Sequence, residues 1–200
     1  MEVEIKILRG DEVAACLPDA ARLRISVFRE FPYLYEGDES SEQQYLASYA
    51  GAAGSVFVVA LAGARVVGIS TGLPLISADG AFQRPFDGAG LEPERWFYFG
   101  ESVLDPAWRG RGIGHRFFDG REAHARELGY QRTCFCAVER PPGHALRPAK
   151  YRPHDEFWSG RGYVRRPELR ARFGWRQVDS PEAEVENELV FWTRDGTAQM

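Results

Sequence analysis

Glu101-Ser-Val-Leu-Asp-Pro-Ala-Trp-Arg-Gly-Arg-Gly-Ile-Gly-His115 is the stretch around which the chain is organised. An apolar run, Trp96 to Leu104, leads into it, and a helix-patterned segment, Ile113 to Leu128, leads out. A strand, a tight basic turn and a helix start make an anion site from main chain alone. The first-turn N–H groups lack helical acceptors, and the helix dipole favours negative charge beside them. Glycines at 110, 112 and 114 let a ligand approach the backbone closely. The stretch reads as a cradle for a pyrophosphate. A Walker-type loop is disfavoured because no Gly-Lys-Ser/Thr follows. A dinucleotide fingerprint is disfavoured because the next strand offers no acid before Glu139.

Working outward, Trp96 to Gly100 is apolar at successive positions, as in a central strand covered on both faces. Upstream, Val3–Leu8 alternates like a half-buried strand. Asp11 starts an apolar-rich helical segment through Phe28, broken or restarted at Pro18, and Glu42–Tyr49 reads as a helix. Ser55–Leu61 and Val66–Leu73 are β-rich runs joined by a hairpin signal. Residues 74–95, rich in Pro and Gly, are expected to form an exposed loop. Downstream, the helix stops at Gly129, and Gln131–Val138 is the next strand. Residues 139–153 form a long irregular connection. Asp155–Arg161 reads as a short helix capped by Asp155 and closed by Gly162. Arg170–Val178 and Leu189–Arg194 are the last strands, separated by a Pro- and Glu-rich link. Strands and helices interleave around a mixed sheet, so residues 1–200 are expected to form one α/β (α+β) domain.

The totals narrow the function classes. Two hundred residues with a net charge of −4 suit one globular domain with a substantial core. The acidic balance argues against a dedicated nucleic-acid binder. No apolar run is long enough for a membrane span, and the first residues lack a signal-peptide pattern. Cys134 and Cys136 lie two apart on one strand face, a poor geometry for a disulfide, which suits a reducing cytoplasm. As a single C-x-C they are weak zinc ligands and read as small core hydrophobes.

The run Val103-x-x-Pro-x-x-Arg-Gly-x-Gly-Ile-Gly114 resembles the acetyl-CoA motif of the GNAT superfamily of N-acetyltransferases, with Arg109, Gly112 and Gly114 at its core positions. Phe157-Trp-Ser-Gly-Arg-Gly-Tyr163 resembles the segment in which that family ends its last helix. The resemblance implies a sheet of about six or seven strands flanked by helices, with central strands splayed to hold acetyl-CoA. It places Arg109, Gly110, Arg111, Gly112, Ile113, Gly114 and His115 at the pyrophosphate, and the main chain of Val103 and Leu104 along the pantetheine. It implies direct attack of a primary amine on the thioester, no metal, and the possibility of a homodimer. The principal alternative is a non-catalytic acyl-CoA-binding or sensor module. A third option is an interaction subunit using residues 74–95 and 139–153.

Amine acylation needs a base, an oxyanion donor and an acid for the thiolate. Glu101 is the candidate base. It is expected to share a strand face with Phe97, Phe99 and Val103, two residues before the splay, where desolvation favours its neutral form; the rival reading is a structural ion pair. Relatives often carry a tyrosine where this chain has Trp158, which is no proton acid and is expected beside the pantetheine. Tyr151, His154 and Tyr163 are the substitute acids, with water a further option. In the loop Tyr33-Leu-Tyr-Glu-Gly-Asp-Glu39, the side chains of Tyr33, Tyr35, Glu36 and Asp38 are candidates to hold a cationic acceptor. Ile113, Phe117, Phe118, Ala125 and Leu128 share one helical arc with Arg121 near its middle. A guanidinium buried there requires an acidic or carbonyl partner. The arginines of 161–176 alternate with apolar residues, as on a solvated strand face.

Overall fold

A computed structural model describes residues 2–196. Seven strands, β1 (Glu4–Leu8), β2 (Val56–Ala62), β3 (Arg65–Pro74), β4 (Trp96–Leu104), β5 (Arg132–Val138), β6 (Val164–Gln177) and β7 (Ser180–Asp195), form one sheet. Their order is β1-β2-β3-β4-β5-β7-β6. Every neighbouring pair is antiparallel except β4 and β5. The helices are α1 (Leu17–Phe28), α2 (Glu39–Gly51), α3 (Gly80–Gly88), α4 (Ile113–Glu127) and α5 (Asp155–Gly160). None of the helices among the described residues is long and apolar enough to cross a membrane.

The sheet is covered on both faces. On one, Leu23 of α1, Leu46 and Tyr49 of α2 and Phe86 of α3 pack with Trp96, Tyr98 and Val103. On the other, Ile113, Phe117 and Phe118 of α4 pack with Phe97, Phe99 and Phe135, and α5 adds Phe157 and Trp158. Each fully buried ring contributes about 1.5–3 kcal/mol. The β-branched run of β2 is buried on both sides, as a strand between two helical layers must be.

β4 and β5 pair only from Trp96↔Arg132 to Tyr98↔Cys134 and then diverge. The sheet therefore opens immediately after Tyr98, and Glu101 lies beyond the opening rather than before it. A second irregularity falls at the same place. Ser70 pairs with Ser102 and Gly72 with Phe99, so two steps on β3 match three on β4. The extra residue is a β-bulge at Gly100-Glu101, and it reverses the alternation of side chains. Phe97 and Phe99 face α4, but Val103 faces α1. Glu101 meets Arg24 of α1. The expectation of one common face is corrected by that single inserted residue. Gly100 suits the bulge, since a Cβ there would stand 2.5 Å from Thr71 Oγ1.

Other differences have local causes. Within 74–95, Asp79 accepts from the Ala81 N–H at 2.7 Å and starts α3. Phe86 is buried against Trp96 and Phe191 at ring separations of 5.3 and 5.0 Å. Ring packing thus overrides Pro85 and the flanking glycines. The Pro- and Glu-rich link is instead the first half of β7. Its acids pair across the hairpin with the arginines of β6, Arg170–Glu188 at 2.8 Å and Arg172–Glu188 at 2.9 Å. α5 follows His154 with no side-chain cap, so Asp155 is its first residue and not its N-cap. Leu128 lies beyond α4 and is largely exposed. Cys134 and Cys136 are free and buried, and burial pushes the Cys136 thiol up to about 12.

Candidate active site

A cleft of about 840 Å³ opens where β4 and β5 part. Gly100, Glu101, Ser102 and Leu104 of β4 line it, facing Phe135, Cys136, Ala137 and Val138 of β5. Arg109, Gly114 and Phe117 flank it at the start of α4. Tyr33 comes from the loop after α1, and Tyr151, His154 and Trp158 come from the connection into α5. The two loops lean together. Arg140 donates to the carbonyls of Pro32 at 2.7 Å and Tyr33 at 3.1 Å. Tyr151 sits edge-on to Phe31 at 4.8 Å.

The glycine turn has the form the sequence predicts. Asp105 accepts from the Ala107 N–H at 3.0 Å and fixes its entry. Gly110 and Gly112 have φ of +74° and +76°, a region costly for residues with a Cβ. The first bonds of α4 are those of His115 and Arg116 to the Gly112 carbonyl, at 3.1 and 3.3 Å. The N–H groups of Arg111 to Gly114 therefore precede the helical ladder and remain available to an anion. A Cβ built on Gly110 or Gly112 meets nothing within 4 Å, so the turn faces open space. Arg109 reaches Glu30 at 3.0 Å, Arg111 lies over Trp108 at 4.6 Å, and His115 contacts Arg161 at 3.2 Å. This cradle and the apolar cleft beside it fit a phosphate-bearing ligand with an extended arm. Among the described residues, no group of His, Cys, Asp and Glu is arranged to hold a metal.

Glu101 is buried with one oxygen committed. Arg24 Nη1 donates to its Oε2 at 2.6 Å, and Arg24 Nε donates to Glu42 of α2. Tyr35 donates to the other oxygen of Glu42 at 2.7 Å. Burial opposes the Arg24 charge, but Glu101, Tyr45 and Glu42 outweigh it and hold the guanidinium above its ordinary pKa. Glu101 Oε1 finds no partner among the described residues. The carboxylate is thus anchored at one oxygen and buried without a partner at the other.

The remaining candidates divide. Tyr163 is 2 % exposed and does not line the cleft. Its hydroxyl donates to Glu122 at 3.2 Å and lies 2.9 Å from Thr133 Oγ1; burial first, and Glu122 second, raise its pKa. That placement corrects its candidacy as an acid. Tyr151 lines the cleft and burial raises its pKa, which keeps its proton in place. The cleft walls and the Arg109 charge lower the pKa of His154. Trp158 packs on Phe135 at 5.0 Å and Trp192 at 5.2 Å. Val103 is fully buried on the α1 side and does not line the cleft, which its neighbours Ser102 and Leu104 do.

Of the acceptor candidates, only Tyr33 reaches the cleft. Tyr35 is held by Glu42, Glu36 pairs with Arg29 at 2.5 Å, and Asp38 caps α2 at the Ser41 N–H. Sequence reasoning missed Arg24, whose only signal was a charge within an apolar helical stretch, and Glu42, which sits in a polar stretch and gave none.

The chain matches the sequence model of the Acetyltransferase (GNAT) family over residues 21–148. No curated protein matches it. Among solved structures it resembles ribosomal-protein-alanine N-acetyltransferase from Brucella melitensis, with 14% identity, TM-score 0.62, and coverage of 95% of this chain and 99% of that one. It also resembles yncA from Salmonella typhimurium, solved with its cofactor acetyl-CoA, with 12% identity, TM-score 0.56, and coverage of 98% and 95%. An aminoglycoside 6'-N-acetyltransferase complexed with coenzyme A shares 13% identity at TM-score 0.59, with coverage of 95% and 96%. At these identities the structures establish the fold, and the sequence model spans well over half the residues. With its parted strands and glycine turn, the chain belongs to the GNAT acetyltransferase family.

Proposed function

We propose that the chain transfers an acetyl group from acetyl-CoA to a primary amine by direct attack in a ternary complex. The observation that carries this reading is a cleft lined by Arg109 and Gly114 of the glycine turn and by Glu101, whose buried Oε1 has no partner among the described residues. Acetyl-CoA supplies the activated acyl carbon and a thiol leaving group. Arg109 and the N–H groups of Arg111 to Gly114 hold the pyrophosphate, with Gly110 and Gly112 giving room. The β4 edge at Ser102 to Leu104 runs along the pantetheine, and Trp158 and Phe135 shield that wall from water. Glu101, fixed at Oε2 by Arg24, receives the amine proton at Oε1. Tyr151 is the preferred proton donor, since it lines the cleft and holds its proton. Tyr33 walls the acceptor side.

The experiment is thiol release on mixing the protein with acetyl-CoA and a panel of small amines, peptide N-termini and lysine peptides. Release dependent on one amine class supports the proposal. Saturable coenzyme A binding with no amine-dependent release favours a sensor, a reading to which Trp158 and the Arg24–Glu101 pairing lend some weight. Neither binding nor release removes the cofactor reading as well.

A further inference from the structure

Of the described residues, two arginines are buried, Arg24 and Arg121. Arg24 holds two carboxylates. Arg121, 1 % exposed, holds none. Its Nε donates to the Phe117 carbonyl at 3.2 Å, and Nη1 reaches the carbonyls of Thr71 at 3.3 Å and Glu101 at 3.5 Å. Those two carbonyls flank the β4 bulge. Nη2 finds no partner among the described residues. The guanidinium lies over the rings of Phe99 at 4.4 Å and Phe118 at 4.8 Å, and the residue lines the cleft.

A buried cation with only carbonyl and ring partners is expensive to maintain. Burial lowers its pKa to about 10, so it stays charged at neutral pH. The charged groups around it do not neutralise it by contact. Glu122, next to it on α4, is bonded to Arg161 at 3.0 Å and Arg194 at 3.1 Å. Tyr163 is a neutral phenol bonded to Glu122. Glu101 presents its carboxylate to Arg24 on the α1 side and its carbonyl to Arg121.

We infer that Arg121 is the electrostatic partner of the thiolate that leaves during acyl transfer, an inference that rests on the proposed function. As the C–N bond forms, the C–S bond breaks and its electron pair remains on sulfur. The amine proton passes to Glu101. The negative charge at the cleft floor is then met by the guanidinium, while the carboxylate that balanced Arg121 through space becomes neutral. A fixed positive charge holds the thiolate until Tyr151 supplies its proton, which suits a chain whose Trp158 is no proton acid and whose Tyr163 is sealed in the core.

The test is the thiol titration of bound coenzyme A, followed by thiolate ultraviolet absorbance against the desulfo-coenzyme A complex. In the wild type, the bound thiol is expected to titrate about one pH unit or more below free coenzyme A. Arg121→Met returns it to the free value, and Arg121→Lys leaves it intermediate, with thermal melts confirming that the variants are folded. A wild-type thiol that titrates like free coenzyme A overturns the inference whether or not any variant folds. So does a shift that survives in folded Arg121→Met. Loss of coenzyme A binding by the wild type would overturn the cofactor reading instead. Binding with an unshifted thiol separates the two failures.

Discussion

Arg24→Met is the sharpest probe of how the site is held together. The guanidinium bridges Glu42 and Glu101, whose side chains are 3% and 2% exposed while its own is 11% exposed. Removing it leaves two carboxylates facing one another away from water. Breaking a buried ion pair from one side costs about 3–5 kcal/mol. Losing its position over Tyr45, at 4.4 Å, adds about 0.5–1 kcal/mol. Methionine fills the space of the stem and removes the desolvation of the guanidinium, so the net loss stays at about 3–5 kcal/mol. For a chain of this size that corresponds to a fall in Tm of roughly 6–20 °C. Urea unfolding followed by tryptophan fluorescence measures it directly. Adding Glu42→Gln should recover about 1 kcal/mol or more, because contacting residues are coupled. A folded Arg24→Met within about 1 kcal/mol of wild type, with additive double-mutant behaviour, would refute the account of a buried charge network.

Other perturbations address separate parts of the molecule. Glu101→Gln should lower the rate of amine-dependent thiol release about 10²–10⁴-fold with coenzyme A affinity kept; unchanged turnover removes Glu101 from the chemistry. Gly112→Ala forces a Cβ into φ of +76° and should cost about 1–2 kcal/mol while weakening coenzyme A binding by calorimetry. Equal affinity would show that the turn does not hold the phosphate. Burial lowers the pKa of His124, with the Gly54 carbonyl 3.0 Å from Nε2 opposing the shift. As pH falls, the unfolded chain protonates first, near 6.5, so stability from this group is present above that pH and lost below it. Thermal melts from pH 8 to 5 should show that loss in the wild type and less of it in His124→Gln.

The fold was legible where composition and period agree. β2, β3, β4 and β5 are β-branched or aromatic runs, and α4 follows a glycine turn that leaves few conformations open. α3 was not legible, because Pro85 and the nearby glycines mark a loop while the ring contacts of Phe86 that stabilise a helix are long-range. β7 was hidden for a similar reason, since its acids look like a solvated link until β6 supplies their arginines. At the site, the glycine turn could be read because main-chain geometry follows directly from glycine. The Arg24–Glu42–Glu101 network joins positions far apart in the chain, and no local pattern announces such a pairing. The predicted acidic acceptor loop shows the converse: Glu36 and Asp38 suggested a cation site but satisfy Arg29 and the start of α2.

The bulge at Gly100-Glu101 links the two charged layers of the site. Were Gly100 and Glu101 to continue the regular alternation from Phe99, Glu101 would lie with Phe97 and Phe99, on the side from which Arg121 approaches. A carboxylate there would pair with that guanidinium directly, leaving neither group free for the reaction. The inserted residue turns the carboxylate to Arg24 and leaves the carbonyl of Glu101 for Arg121. In the proposed reaction, acid–base chemistry and charge stabilisation are thereby separated across one strand, each group anchored by a different helix. Deleting Gly100 removes the bulge, but alternation from Phe99 keeps Glu101 with Val103 on the α1 face beside Arg24. What changes is the turn that presents the Glu101 carbonyl to Arg121, so turnover should fall even if the protein remains folded. A folded deletion variant with wild-type turnover would show that the bulge, and the carbonyl it turns to Arg121, are dispensable.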